Sequence, residues 1–241
     1  NLCIIIYMYK IIQDFDRPDT DLVKRALGLY FCIVGGRVGP RYVMDSGIKP
    51  LKRSWRICGP ALTVRPEQSD DLLMTQLASK YVKPGDVIVI DAAGQEKGAC
   101  LGATMVSGFK EMGGAGIVAD GYVLTGEVIR KREGIPLFCR GTVSVSRGME
   151  QPGWINVPIV CGGVIVCPGD LILGDEDGVV VVPKEHAGTI VSEVEGHGNE
   201  REAANRPLDG KIPPRVYKSI PYYKRSGAED KVKKMKEIEI I

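Results

Sequence analysis

The sequence predicts an α/β fold, and three of its patterns indicate this class. Two runs of β-branched apolar residues, 57–64 and 86–91, predict strands, and the apolar residues of the intervening segment 70–81 recur at helical spacing. A strand, a helix and a second strand in this order are typical of parallel strands joined by a crossover helix. From residue 157 to residue 183 the chain contains strand-like runs separated by Gly and Pro turns.

The elements before the first long strand are predicted from capping and breaking signals. Residues 16–20 form a turn with capping side chains, and residues 21–27 predict a helix that ends at Gly28. Residues 29–50 are rich in glycine and mixed in polarity, so we expect loops there. The 30 Gly and 15 Pro residues of the whole chain indicate many short elements.

In the middle of the chain, helices and short strands are predicted to alternate. The polar loop 94–98 leads into a helix predicted over 101–112. The apolar face of this helix contains Met105, Val106, Phe109 and Met112. Thr125 is placed to cap a further helix. The other predicted elements are a strand over 116–120, the helix capped by Thr125 over 126–133, and a strand over 135–139.

The C-terminal half predicts strands followed by one helix and a tail. The strands cover 157–160, 163–166 and 178–183, and the helix runs from Lys184 to about Asn205. We expect an N-terminal extension over 1–14, a single α/β domain over 15–205 and a C-terminal tail over 206–241. A proline-containing tail of this kind is expected to dock on a neighbouring subunit.

Composition excludes several classes of function. The net charge is +2 and aromatic residues make up 6%, so neither nucleic acid nor a membrane is expected as a partner. The seven Cys include no Cys-x-x-Cys pair and the chain has two His, which argues against a structural zinc site. Free thiols and an N-terminal apolar run too short to span a bilayer predict a cytoplasmic protein.

The segment from Gly98 to Glu127 is the candidate site. A glycine-rich loop leads into a helix whose first amides belong to Ala103, Thr104 and Met105, and free amides at a helix start bind carboxylates or phosphates. Asp120 follows the next strand, and the loop after it brings Thr125 and Glu127. An anion cradle beside carboxylates suits a divalent metal and a small oxo-acid. The ordinary alternatives are a strand-end cap for Asp120 and a dipole-favoured first-turn residue for Glu127.

Other residues are weaker candidates. Cys100 precedes the helix start, where a thiol pKa is lowered, although a buried thiol is the alternative. Arg140 and Arg147 flank a strand-like run and are candidates for a substrate carboxylate, with surface positions as the alternative. The acidic turn 175–177 lacks the spacing of a calcium loop, and the lysine-rich segment 231–236 is expected to be a solvated face.

Several segments together resemble one protein family. They are 44–51, 58–64, 83–91, 113–121, 156–160 and 168–183. In this order they are similar to the 4-hydroxy-4-methyl-2-oxoglutarate / 4-carboxy-4-hydroxy-2-oxoadipate aldolases and their relatives, the regulators of ribonuclease activity A. The resemblance covers about 15–202. It implies an α/β domain of the swivelling phosphohistidine (β/β/α) type, with helices packed on the sheets, assembled as homotrimers or homohexamers with sites between subunits.

The resemblance also implies a chemistry. Active members cleave an aldol or decarboxylate oxaloacetate, and Mg²⁺ or Mn²⁺ holds the resulting pyruvate enolate. The substrate is a small 2-oxo acid, held by the helix start that corresponds to Gly102, Ala103, Thr104 and Met105 and by an arginine that corresponds to Leu124. The metal-binding aspartate corresponds to Thr125, with Asp120 as the nearest remaining carboxylate.

This chain departs from the family pattern at those positions, because an acidic residue has become Ala103, the arginine Leu124 and the aspartate Thr125. We expect a lyase family member that acts on small 2-oxo acids, and three interpretations of this particular chain remain open. The first is a lyase with a rearranged site, in which Asp120 and Glu127, or Glu96 and Lys97, act instead. The second is a catalytically silent ring that binds a protein. The third is a small-molecule binder, or an enzyme of another reaction type, with a less polar pocket.

Overall fold

The structure is a computed structural model that describes residues 9–131 and 134–196. All of them belong to the first of the two units into which the chain divides, Asn1–Asn199. The predictions made for residues 1–8, for 197–205 and for the tail 206–241, including its lysine-rich segment, lie outside the described residues.

Helices and short strands alternate through the described part of the chain. The helices are α1 (Thr20–Leu27), α2 (Phe31–Val38), α3 (Leu73–Ala78), α4 (Ala103–Glu111), α5 (Gly126–Lys131) and α6 (Lys184–Gly196). The strands are β1 (Lys10–Ile11), β2 (Lys49–Pro50), β3 (Ile57–Pro66), β4 (Val87–Ile90), β5 (Ala99–Leu101), β6 (Gly116–Ala119), β7 (Tyr122–Val123), β8 (Leu137–Cys139), β9 (Gly141–Thr142), β10 (Gly153–Ile155), β11 (Ile159–Cys161), β12 (Val164–Val166), β13 (Leu171–Asp175) and β14 (Gly178–Val182).

The main sheet has nine strands among the described residues and a parallel centre. Strands β3, β4, β6 and β8 lie side by side and run parallel, which confirms the prediction of parallel strands. Strands β10 and β13 pair antiparallel with β3, and β14 pairs with β13. Three further strands, β5, β7 and β9, form a small parallel sheet beyond the carboxyl ends of the central strands.

The buried residues form three clusters that follow from this topology. One face of the central strands packs against α3, α4 and α5. The other face packs against the two-stranded hairpin of β11 and β12. Helices α1, α2 and α6 cover β13 and β14. Among the described residues no helix combines the length and hydropathy needed to cross a bilayer.

The prediction of loops over 29–50 is wrong, because this segment contains helix α2, a short 3-10 helix (Pro40–Tyr42) and β2. Phe31 and Val34 are buried on one face of α2. A Cβ atom at Gly35 would lie 3.3 Å from Val180 Cγ2, so this glycine allows the helix to approach β14 closely. In the sequence alone, a glycine that serves packing looks the same as a helix breaker.

Several other predicted elements are confirmed in kind and corrected in extent. Helix α1 ends at Gly28 as predicted, and the Asp19 side chain caps its start by accepting from the Asp21 amide. The helix expected over 70–81 covers only α3, because the Asp71 carboxylate accepts from the Leu73 amide and forms a turn there. Met112, expected on the apolar face of α4, is 47% exposed because α4 ends before it.

Candidate functional site

Two charged residues follow neighbouring parallel strands. Asp120 lies between β6 and β7, and Arg140 lies between β8 and β9. Since Val118 is paired with Phe138 across β6 and β8, Asp120 and Arg140 share the same register and the same face of the sheet. The Arg140 Nε atom donates a hydrogen bond to Asp120 Oδ1.

The same register extends the row to four charged residues across four strands. Val64 is paired with Ile90, and Ile90 is paired with Ala119, so the next residue of each strand continues the row. The row therefore reads Arg65, Asp91, Asp120 and Arg140. The Arg65 Nε atom lies 3.7 Å from Asp91 Oδ2. Burial raises the pKa of the Asp91 carboxyl, and the neighbouring charge of Asp120 raises it further. The hydrogen bond from the Ala93 amide and the charge of Arg65 lower this pKa and offset part of the rise.

The row is tied to the hairpin of β11 and β12 through Asp120. Its second oxygen, Oδ2, accepts a 2.8 Å hydrogen bond from the amide of Gly162, in the hairpin turn. The carbonyl of Gly162 accepts from the Asp45 amide at 2.8 Å, and the Asp45 carboxylate lies 3.6 Å from Arg140 Nη2. The Gly47 amide and the Arg140 guanidinium lower the pKa of Asp45. We call Asp45, Asp120, Arg140 and Gly162 the strand-end ring.

In the strand-end ring both oxygens of Asp120 already accept hydrogen bonds from the protein. The side chain is 8% exposed, and the Gly94 amide donates to the backbone carbonyl of the same residue at 2.9 Å. Asp120 thus serves as a clamp between the strand ends and the hairpin, the strand-end role weighed above as the alternative to a catalytic one. Each of its two carboxylate oxygens accepts from one protein donor, Arg140 Nε or the Gly162 amide.

The start of helix α4 lies at the end of β7. The amide of Ala103 donates to Thr125 Oγ1 at 3.1 Å, and the amide of Met105 donates to the Gly102 carbonyl at 3.1 Å. The expectation of three free amides is therefore wrong for two of them, and Thr104 is the remaining one. Leu124 lies beside this start, because a Cβ atom at Gly102 would be 3.8 Å from the Leu124 Cβ atom.

Thr125 has only the backbone part of the capping role that the sequence predicted for it, because its carbonyl accepts from the Ile129 amide at 3.1 Å, as an N-cap carbonyl does. It was expected to cap α5, but its hydroxyl oxygen accepts from Ala103 of α4 and its proton is donated to the Leu124 carbonyl at 2.7 Å. Its φ of 57° lies in the left-handed region, which a β-branched residue rarely adopts. An N-cap residue usually has extended backbone angles, so this conformation does not suit the predicted cap.

Glu127 is separate from the strand-end ring. Its carboxylate accepts from Lys131 Nζ at 2.6 Å, one turn along α5, and its side chain is 71% exposed. Among the described residues no hydrogen bond joins it to Asp120, so the structure does not combine these two candidates as an acid–base pair. Its position in the first turn of α5 agrees with the dipole-favoured alternative.

The other candidates from the sequence lie outside the strand-end ring. Burial raises the pKa of the Cys100 thiol to about 12, which contradicts a lowered value. Arg147 Nε lies 3.3 Å from Asp70 Oδ2 on a side chain that is 67% exposed. In the acidic turn the Asp175 carboxylate accepts from the Asp177 amide at 3.0 Å. The pair Glu96 and Lys97 is exposed on the loop before β5.

The residues present do not fit the divalent metal that the resemblance implies. The Thr125 hydroxyl is neutral and already takes part in two hydrogen bonds, and both Asp120 oxygens have donors. In residues 9–131 and 134–196 no group of three His, Cys, Asp or Glu side chains could hold a metal ion. Mg²⁺ and Mn²⁺ prefer carboxylate oxygens, and a neutral hydroxyl stands here in place of the carboxylate that the resemblance expects.

Sequence reasoning named Asp120 and Arg140 but missed the residues that hold them. Arg65 follows one predicted strand, 57–64, and Asp91 ends another, 86–91. The register of the strand ends was therefore the signal that could have identified these two residues as neighbours of Asp120. Asp45 and Gly162 come from the segment that was expected to be loop and from a hairpin turn. No local pattern indicates that these two meet Asp120.

These observations define a class of protein. It is an α/β protein that has charged residues at the ends of its central parallel strands and a helix start beside them. Residues 33–181 match the family model described as RraA-like, Aldolase/RraA. The match covers more than half of the chain, and the chain belongs to this family.

The relatives include proteins named for two activities. A Halalkalibacterium halodurans protein, provisionally named a 4-hydroxy-4-methyl-2-oxoglutarate aldolase, is 39% identical over 171 residues, which are 70% of this chain and 80% of that protein. A Thermus thermophilus protein named 4-hydroxy-4-methyl-2-oxoglutarate aldolase is 30% identical over 133 residues, 55% of this chain and 79% of that protein. The crystal structure of Streptomyces coelicolor RraAS2, described as an unusual member of the RNase ES inhibitor RraA family, has 33% identity and a TM-score of 0.70, and the match covers 80% of this chain and all of that one.

Proposed function

We propose that this chain acts by binding a protein partner, as a ring of identical subunits, and does not catalyse the aldolase reaction of its relatives. The observation that carries the proposal is the pair Leu124 and Thr125, which stand where the resemblance expects the substrate-binding arginine and the metal-binding aspartate. The description of RraAS2 as belonging to a family of ribonuclease inhibitors supports a binding role.

The charges of the strand-end ring do not replace the missing pair. A 2-oxo acid needs a cation for its carboxylate, and a charge-assisted hydrogen bond contributes about 1.5–3 kcal/mol. Arg140 is the cation at the neighbouring strand end, but Asp120 accepts from its Nε atom and Asp45 lies beside its Nη2 atom. The charge of Arg140 is therefore already shared with two carboxylates of the protein, which weakens its attraction for a substrate carboxylate.

The names of the aldolase relatives favour a second candidate function. It is retro-aldol cleavage of 4-hydroxy-4-methyl-2-oxoglutarate, or decarboxylation of oxaloacetate, each giving pyruvate with Mg²⁺ or Mn²⁺. This lyase would need ligands other than Leu124 and Thr125 for the substrate and the metal. For either function we propose a swivelling phosphohistidine-like domain assembled as a homotrimer or homohexamer.

Pyruvate release separates the two functions. We would incubate each substrate with Mg²⁺ or Mn²⁺, with EDTA as the control, and compare the natural chain with the Leu124→Arg/Thr125→Asp variant. The expected result is no metal-dependent release by the natural chain and release by the double variant. EDTA-sensitive turnover by the natural chain would refute the proposal and support the lyase. A folded double variant that stays inactive would show that these two residues do not account for the loss.

The binding role needs its own measurement. Light scattering on a size-exclusion column should give a mass of three or six subunits. The natural chain, immobilised as that assembly, should retain one partner from lysate at a fixed ratio of partner to ring. Turnover without any such partner would contradict the proposed role.

A further inference from the structure

We infer that Thr125 is an internal ligand of helix α4: its hydroxyl occupies the helix start and excludes an external anion or divalent cation from it. This inference deepens the proposed function and rests on it in one respect, the absence of a metal-bound substrate at this point. It concerns how the position has been closed.

The first observation behind this inference is the hydrogen bonding at the start of helix α4. Of the three amides expected to be free, Ala103 donates to the Thr125 hydroxyl and Met105 donates to the Gly102 carbonyl. Free amides are what makes a helix start attractive to anions, so an internal acceptor competes directly with an external one. The acceptor here is neutral and is part of the chain.

The backbone of Thr125 carries the second step. Its φ of 57° is disfavoured for a β-branched residue, whereas Asp and Asn adopt such angles several times more often than most residues. The resemblance expects an aspartate at this position. The chain therefore retains a backbone conformation that suits the expected aspartate, although the side chain has changed.

The hydroxyl proton carries the third step. It is donated to the Leu124 carbonyl at 2.7 Å, so the oxygen both donates and accepts within the protein. The oxygen keeps one lone pair, but it carries no negative charge, so it is a weak ligand for Mg²⁺ or Mn²⁺. The exchange of a carboxylate for a hydroxyl thus removes the negative charge while the Ala103 amide keeps an acceptor from within the chain.

Two variants separate the hydroxyl from the strained backbone. Thr125→Val keeps the β-branch and removes the hydroxyl, and Thr125→Ser keeps the hydroxyl and removes the branch. Because both hydrogen bonds of the hydroxyl are exposed, water can replace them in part, and the melting temperature of the Val variant should fall by about 1–3 °C. The Ser variant should melt at or above the natural chain. A Val variant that melts with the natural chain would overturn the inference.

Titration calorimetry with Mn²⁺ and oxalate then tests exclusion. Oxalate is the probe because it is a small dianion that an arginine and a metal can bind together. The natural chain and Thr125→Ser should give no saturable heat. The Leu124→Arg/Thr125→Asp variant should saturate, with a dissociation constant about 10- to 100-fold below the highest oxalate concentration at which the natural chain shows no binding, as expected for one charge-assisted hydrogen bond. Equal binding by the natural chain would overturn the inference.

The two proposals fail in different ways. Turnover by the natural chain together with a destabilised Thr125→Val variant would refute the proposed function and leave the hydrogen-bonding role of Thr125 in place. Absence of turnover together with an unaffected Thr125→Val variant would refute the inference and leave the proposed function.

Discussion

Asp120→Asn tests whether the strand-end ring is a structural clamp. The natural carboxylate accepts from Arg140 Nε and from the Gly162 amide, and the side chain is 8% exposed. An Asn side chain of nearly the same shape can keep its carbonyl oxygen towards the Gly162 amide. Its NH₂ group would then face the Arg140 guanidinium, so that two donors meet and the arginine loses its charged acceptor.

The expected loss follows from these contacts. A hydrogen bond to a charged group contributes about 1.5–3 kcal/mol, and leaving a buried partner unpaired adds to the loss. Because Arg140 is 23% exposed and keeps Asp45 at 3.6 Å, we expect about 2–3 kcal/mol in the free energy of unfolding. Equilibrium unfolding in urea at one fixed protein concentration measures it, since assembly makes stability concentration-dependent.

Glu127→Gln is the matched control. It makes the same carboxylate-to-amide change at the exposed ion pair with Lys131, where such pairs contribute about 0.3–0.5 kcal/mol. If the two variants lost equal stability, Asp120 would not be a clamp. A double-mutant cycle with Arg140→Met should give a coupling of about 1.5–3 kcal/mol, and additive losses would also contradict the reasoning.

Three further predictions concern other described residues. The Gly162→Ala variant should lose about 2–5 kcal/mol of the free energy of unfolding measured in urea, because φ is 57° and a Cβ atom would lie 2.8 Å from two side chains. The control variant Gly163→Ala, where φ is 76° and no atom lies within 4 Å of the added Cβ, should lose about 1–2 kcal/mol. In the folded protein at about pH 8, iodoacetamide should label the exposed Cys32 but not Cys100, because burial raises the pKa of the Cys100 thiol to about 12. Peptide mass spectrometry measures the labelling of both thiols, and fast labelling of Cys100 would contradict its burial. Burial raises the folded pKa of Asp91 above 3.8, so the contribution of this carboxyl to folding stability is fully present below pH 3.8 and is lost as the pH rises through the folded pKa. The Asp91→Asn variant should therefore gain stability relative to the natural chain over that rise in pH, and a difference that stays constant with pH would contradict this.

The central sheet was the part of the fold that the sequence could predict. Its strands are runs of β-branched residues bounded by turn residues, and this local signal is decided within each run. Helix α2 was missed because two glycines in its sequence weaken the local helical signal, and one of them, Gly35, is there for contact with Val180 of a strand far along the chain. Such a reason is visible only after packing is known.

The candidate site was predictable as a location and less so as a set of bonds. Asp120 could be named because it directly follows an apolar strand, and Arg140 because it flanks the strand-like run 142–145. Their joining required the register of β6 and β8, and the contribution of Gly162 required a hairpin folded over that edge. The prediction of free amides failed for a similar reason, since the acceptor for Ala103 is 22 residues away.

Leu124 and Thr125, where the resemblance expects other residues, differ from Asp120 and Gly162 in what a substitution would disturb. Leu124 and Thr125 follow β7, and neither is buried, so the side chains there can change without opening the core. Asp120 and Gly162 join the strand ends to the hairpin, and a change in either disturbs contacts between separate elements. We therefore expect substitutions at the first pair to alter ligand binding with small effects on unfolding, and substitutions at the second pair to do the reverse. Chemistry can be lost from such a scaffold while the fold persists, because the sheet register that aligns the strand ends does not depend on the two residues that follow β7.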